Sequence, residues 1–280
     1  MMNIKHSLLV AVAGGAVALS STANAGFLSY YFDPTGDGGA NAVHVSEYLN
    51  YLGGVYAENT FDGDSTEFTL QQWGYAEITG KDGVGSNEVT NADIFASFSG
   101  SGQGDLATGS ATFTDGTLEL FSGGFESEEG STRIAEFKII GGGSQLLEVT
   151  GAPDGFSGLD TRATYFAEGY FFKDNNGALG DDFSTLDLDQ EFLFGFATGT
   201  LSLASGAIPS LREQLDKAFP GNTFADGNTP DDDGRLVTLY SAADGQFRIS
   251  TVPEPATLAL AGVGLLALGF AMRRRRSNQQ

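Results

Sequence analysis

Three short acidic stretches hold the residue types best suited to chemistry: "FDGDST" (61–66), "KDNNGALGDD" (173–182) and "NTPDDDGR" (228–235). Each mixes Asp and Asn oxygens with glycine, the hard-ligand, tight-turn composition that Ca²⁺ favours. Asp181 and Asp182 in the second, and Asp231, Asp232 and Asp233 in the third, are the preferred ligands, and Ca²⁺ is the one cofactor these residues suggest. None of the stretches has the D-x-D-x-D-G spacing of an EF-hand loop. The other reading is therefore a solvated turn whose Asp and Asn satisfy nearby backbone groups.

Other catalytic material is scarce. His44 is the only histidine between the two ends of the chain, so a Ser-His-Asp triad would have to use it, and no G-x-S-x-G accompanies it. A single histidine on a helical face is more often structural than catalytic. No H-E-x-x-H or G-x-x-x-x-G-K-[ST] occurs. The absence of cysteine excludes thiol catalysis and cysteine-held zinc or haem. A glycosidase needs only two carboxylates, which leaves a polysaccharide hydrolase or lyase open, yet no spacing singles out a pair. Trp73, Tyr75, Tyr165 and Tyr170 offer faces for stacking on sugar rings, although Trp73, at a strand centre, equally suits a core.

The elements that must position these groups read as β. Runs rich in Phe, Tyr, Thr, Ile and Val alternate with Gly, Asp, Asn and Ser, as in "TEFTLQQWGYAEIT" (66–79), "TRIAEFKII" (132–140) and "EFLFGFATGTLSL" (191–203). Asp115-Gly116 and Asp244-Gly245 read as hairpin turns. About ten strands suggest a mainly β, antiparallel sandwich or jelly-roll-like body. Two short helices are expected with it: 208–219, where Leu211, Leu215, Ala218 and Phe219 share a face, and 41–54, stopped by two glycines.

The ends differ from this body. "MMNIKHSLLVAVAGGAVALSSTANAGF" has a basic start, an apolar core and Ala23-Asn24-Ala25, the small-x-small site of a signal peptidase, so residues 1–25 read as a signal peptide. Residues 26–251 form the extracellular β-rich domain. Setting aside Lys5, Glu254 and Arg273–Arg276 leaves nine basic and 35 acidic residues of the chain's 14 and 36, a formal charge of −26. Such a surface repels phosphates, which argues against nucleic-acid binding.

Residues 252–280 open on Val252-Pro253-Glu254-Pro255, continue through Ala256–Met272, 17 residues without a charge, and close on Arg273, Arg274, Arg275 and Arg276. As a helix the apolar run would span about 25 Å, the lower limit for a single transmembrane helix, with the arginines held cytoplasmic. This tail resembles the PEP-CTERM sorting signal of Gram-negative bacteria that make exopolysaccharide. The resemblance implies recognition by an exosortase, cleavage near Pro-Glu-Pro and release of the body to the cell surface or matrix.

A looser likeness lies in "YFDPTGDGGANAVHVSEYLNYLGGVY" (31–56) and "STEFTLQQWGYAEIT" (65–79), which are similar to the start of the flocculation-associated PEP-CTERM proteins. The expected function is that of an exported, non-enzymatic matrix protein, held to the membrane until processed, with exopolysaccharide as partner and a role in biofilm or floc formation.

Overall fold

The structure, a computed structural model, describes residues 27–85, 89, 93–125, 130–146, 154–188, 193–204 and 206–251. The strands are β1 (Tyr30–Phe32), β2 (Val43–Val45), β3 (Leu49–Phe61), β4 (Glu67–Lys81), β5 (Val84–Gly85), β6 (Ile94–Asp105) and β7 (Ser110–Ser122). They continue with β8 (Thr132–Leu146), β9 (Asp154–Phe166), β10 (Phe171–Asp174), β11 (Leu179–Asp182) and β12 (Leu193–Leu203). The α-helix α1 (Ile208–Ala218) precedes β13 (Thr229–Pro230) and β14 (Leu236–Thr251).

The long strands pair in the order β12-β9-β8-β7-β6-β4-β3-β14, and β12 also pairs β14. The ring therefore closes as an eight-stranded antiparallel barrel, which corrects the expected sandwich or jelly roll. Its strands run from 11 residues in β12 to 16 in β14, and neighbours in the ring are mostly neighbours in sequence. Bulges at Ser101/Gly102, Leu120/Phe121 and Ile139/Gly141 add the bend that closure needs. At the seam a Cβ on Gly245 would sit 2.1 Å from the Thr198 carbonyl oxygen, so only glycine lets β14 approach β12 there.

The segment 41–54 is not a helix. Val43 and Val45 alternate inward in β2 against β1, and Leu49 begins β3. The Gly53-Gly54 pair, read as a helix stop, lies inside β3. A Cβ on Gly53 would fall 1.9 Å from the Tyr75 carbonyl, and one on Gly54 would meet Leu211 of α1. The glycines thus record close packing on both sides of a strand. Likewise Asp115-Gly116 and Asp244-Gly245 run through β7 and β14 instead of turning. A hairpin turns instead at Asp82-Gly83, with φ of 50° and 75°, the left-handed pair a type I′ turn requires.

The helix over 208–218 does form, with Pro209 in its first turn. Leu211, Leu215 and Ala218 are buried, and the outer face of the barrel supplies Tyr56, Trp73 and Tyr240 to the same cluster.

One end of the barrel is plugged. A four-stranded sheet, β11-β10-β1-β2, brings Tyr30, Phe32 and Phe171 into the same buried cluster as Phe137, Phe166 and Phe247 of the barrel. Phe137 meets Phe166 at 5.6 Å and 90°, and Phe247 at 5.2 Å and 73°, the edge-to-face geometry that ring quadrupoles favour. Beside this sheet Asp33, fully buried, accepts from the backbone N–H and hydroxyl of Thr35 at 2.9 and 2.6 Å and from the Gly39 N–H at 2.9 Å. Burial raises its pKa, but these bonds outweigh burial and hold the carboxyl below the usual range. The Asp-Pro-Thr-Gly stretch therefore ties a loop.

Candidate functional site

The other end of the barrel is open. Alternation along the strands turns Val55 and Ala57 of β3, Leu70 and Gln72 of β4, Leu201 of β12 and Ser241 of β14 inward, around a cup of about 320 Å³. Deeper in the barrel lies an apolar cavity of about 60 Å³, and Val55 and Gln72 line both. Gln72 and Ser241 are buried at 8% and 6% exposure. Nothing in composition marked Gln72, but period two places it on the face of Leu70 in "TLQQWGY", and that phase was readable.

The rim carries Asp105, Asp233 and Arg235. Arg235 is fully engaged: Nε donates to Asp231 Oδ2 at 2.7 Å, Nη1 to the Gly63 and Ser65 carbonyls at 2.9 Å each, and Nη2 meets Asp231 and Asp233 at 2.7 and 3.1 Å. Its guanidinium also stacks on Phe61 at 4.5 Å. Desolvation raises the Asp231 pKa, but the backbone and guanidinium N–H groups of Arg235 prevail and lower it.

The five aspartates picked for calcium are placed as follows. Asp231 and Asp233 fold onto Arg235 while Asp232 is exposed beside them. Asp182 accepts from the Gly169 and Ser184 N–H groups at 2.6 and 2.8 Å and so caps the 3₁₀ turn Phe183–Thr185, while Asp181 is exposed on β11. Among the described residues no three His, Asp or Glu side chains gather in a way that could hold a metal ion.

A second constellation surrounds His44. Its Nε2 lies 3.1 Å from Asp174 Oδ2, and its Nδ1 lies 3.4 Å from Ser46 Oγ. The residue types are those of a hydrolytic triad, but the surroundings differ. The N–H groups of Ser46, Glu47 and Tyr48, which would stabilise an oxyanion, all donate to the Asp82 carboxylate at 2.9, 2.7 and 3.2 Å. The remaining contacts, Ser29 on Asp174 at 2.7 Å and the Tyr31 ring on His44 at 5.0 Å, join β1, β2 and β10 into one sheet.

On the outer wall a shallow depression of about 910 Å³ crosses β7, β8, β9, β12 and β14. Ser144, Thr198, Thr200 and Gln246 contribute to it, with Phe156 exposed at 52%. Of the aromatics considered for sugar stacking, Trp73 packs on Tyr56 and Phe224, Tyr75 on Phe125, and Tyr170 against the plug cluster. Tyr165 is exposed but covered by Arg133 at 5.2 Å, which also binds Glu119 and Glu136 at 2.8 and 2.5 Å.

The fold and these sites define a closed β-barrel with one plugged and one open end. The family described as the PEP-CTERM protein-sorting motif matches residues 251–276. The match spans Val252–Pro255 and Arg273–Arg276, so the chain carries a PEP-CTERM sorting signal, which implies export, transient anchoring by the tail and processing by an exosortase. No curated protein and no solved structure matches the chain. The sorting signal beyond Thr251, the transmembrane helix expected at 256–272 and the signal-peptidase site at Ala23 and Ala25 lie outside the described residues. Among the described residues no helix is long and apolar enough to cross a membrane.

Proposed function

We propose that this is a non-enzymatic protein of the cell surface or extracellular matrix, associated with exopolysaccharide and acting in biofilm or floc formation. The sorting signal at 251–276 carries this reading, because it delivers the body outside the cell without retaining it there. The outer depression supports it: hydroxyls and amides spread over several strands, beside one exposed aromatic ring, suit an extended neutral sugar chain. The strong negative charge keeps such a body soluble among neutral polymers. The Ser46–His44–Asp174 group gives no rival reading, since Asp82 occupies the amides an acyl-transfer enzyme would need.

Cosedimentation of the protein with exopolysaccharide from its own host tests the proposal. Saturable retention that falls several-fold in Phe156→Ala is expected. Equal recovery in the supernatant at every polysaccharide concentration would reject the association.

A further inference from the structure

We infer that the open end of the barrel binds a small, uncharged, mainly apolar molecule that carries one hydrogen-bonding group toward its buried end. The cup and the deeper cavity share Val55 and Gln72, so they lie end to end along the barrel interior. Their walls are largely hydrocarbon, with Val55, Ala57, Leu70 and Leu201 in the cup and Phe98 and Leu118 in the cavity. Space of this kind inside a barrel mouth is where small ligands are commonly held.

Two polar side chains interrupt that wall. The Gln72 amide and the Ser241 hydroxyl are both more than nine-tenths buried, and no hydrogen bond joins either side chain to another described residue. Tyr30 Oη is the one fully enclosed side-chain polar atom without a partner among the described residues, so the Gln72 and Ser241 polar atoms open onto the cup and are placed to hydrogen-bond whatever fills it. The rim sets the charge of the occupant. All the N–H groups of Arg235 are committed to Asp231, Asp233 and two carbonyls, which leaves Asp105 and the remaining negative charge of the loops facing the entrance. An anionic head group would meet repulsion and, among the described residues, no free cation at this rim.

The test uses the full chain and a neutral environment-sensitive dye, N-phenyl-1-naphthylamine, with 1-decanol and decanoate as competitors of equal length. Because the sequence also contains the apolar stretch 256–272, the signal read is the part that Val55→Trp removes. Dye binding that decanol displaces is expected, with decanoate weaker by about tenfold or more, and a loss of about tenfold in Val55→Trp, which fills the cup. Gln72→Leu, which keeps the volume and deletes the amide, should weaken decanol about threefold relative to the dye.

Dye binding unchanged in a Val55→Trp protein that melts like the parent would overturn the site. So would equal displacement by decanol and decanoate. Should Val55→Trp fail to fold, Gln72→Leu decides: unaltered decanol displacement there rejects the inference.

Discussion

The two ends of this barrel are built from the same strands and are finished in opposite ways. At the plugged end, rings from β1, β8, β9, β10 and β14 interlock, and nearby carboxylates are fixed by backbone N–H groups, as Asp33 and Asp82 are. At the open end the inward residues include the small Val55, Ala57 and Ser241 beside Leu70 and Leu201, and the Gln72 amide borders the cup. One chain thus concentrates its stability where the small sheet packs and leaves the opposite end underfilled. Closure itself removes the sheet edges at both ends.

This contrast can be broken most sharply at Phe137. Phe137→Ala should lower unfolding free energy by about 3–5 kcal/mol, as truncation of a fully buried ring does, whereas Ser241→Ala at the mouth should change it by less than about 0.5 kcal/mol. Similar costs at both sites, read from denaturant melts, would erase the distinction. Asp33→Ala should cost about 1–3 kcal/mol, since it removes the buried carboxylate that accepts from the N–H groups of Gly39 and Thr35.

The same carboxylates set a pH dependence. The pKa of Asp33 and that of Asp82 are depressed in the folded protein, where N–H donors outweigh burial. Their contribution is complete above the unfolded value of about 3.9 and is lost as pH falls through the lower folded values. Melting temperature should therefore drop below pH 4, and Asp33→Asn should flatten that fall. An unchanged slope would remove Asp33 from the account.

A smaller effect of opposite sign is expected at Tyr30. Its hydroxyl is buried with no hydrogen-bond partner among the described residues, and burial pushes its pKa far above the ordinary phenol value. Tyr30→Phe should raise stability by about 1 kcal/mol by deleting a desolvated polar atom, and a loss of stability would show that the hydroxyl has a partner.

Much of the strand content was legible. "TEFTLQQWGYAEIT" became β4 almost to the residue, and the helix expected over 208–219 formed with Pro209 in its first turn because proline acts locally. Closure was not legible, since pairing of β12 with β14 depends on the tilt and stagger of the whole ring and no short window encodes that. Glycine misled for a related reason. Gly53, Gly54 and Gly245 read as stops or turns, but each marks a close approach of another strand or helix, information that sits on the partner. In the acidic stretch 228–235 the sequence shows Arg235 beside three aspartates but not where its side chain goes: it pairs with Asp231 and Asp233 and donates to the Gly63 and Ser65 carbonyls in the β3–β4 turn. The tail was legible because its three parts are consecutive in the chain.

The sorting signal implies export and exosortase processing of the tail, and the proposed function places the work of the body outside the cell. Intact mass of the protein recovered from the medium of its own host tests this most directly. The expected species begins near Gly26 and ends near Pro253, lacking Ala256–Arg276. Recovery solely of chains that retain Arg273–Arg276, confined to the membrane fraction, would contradict processing and release.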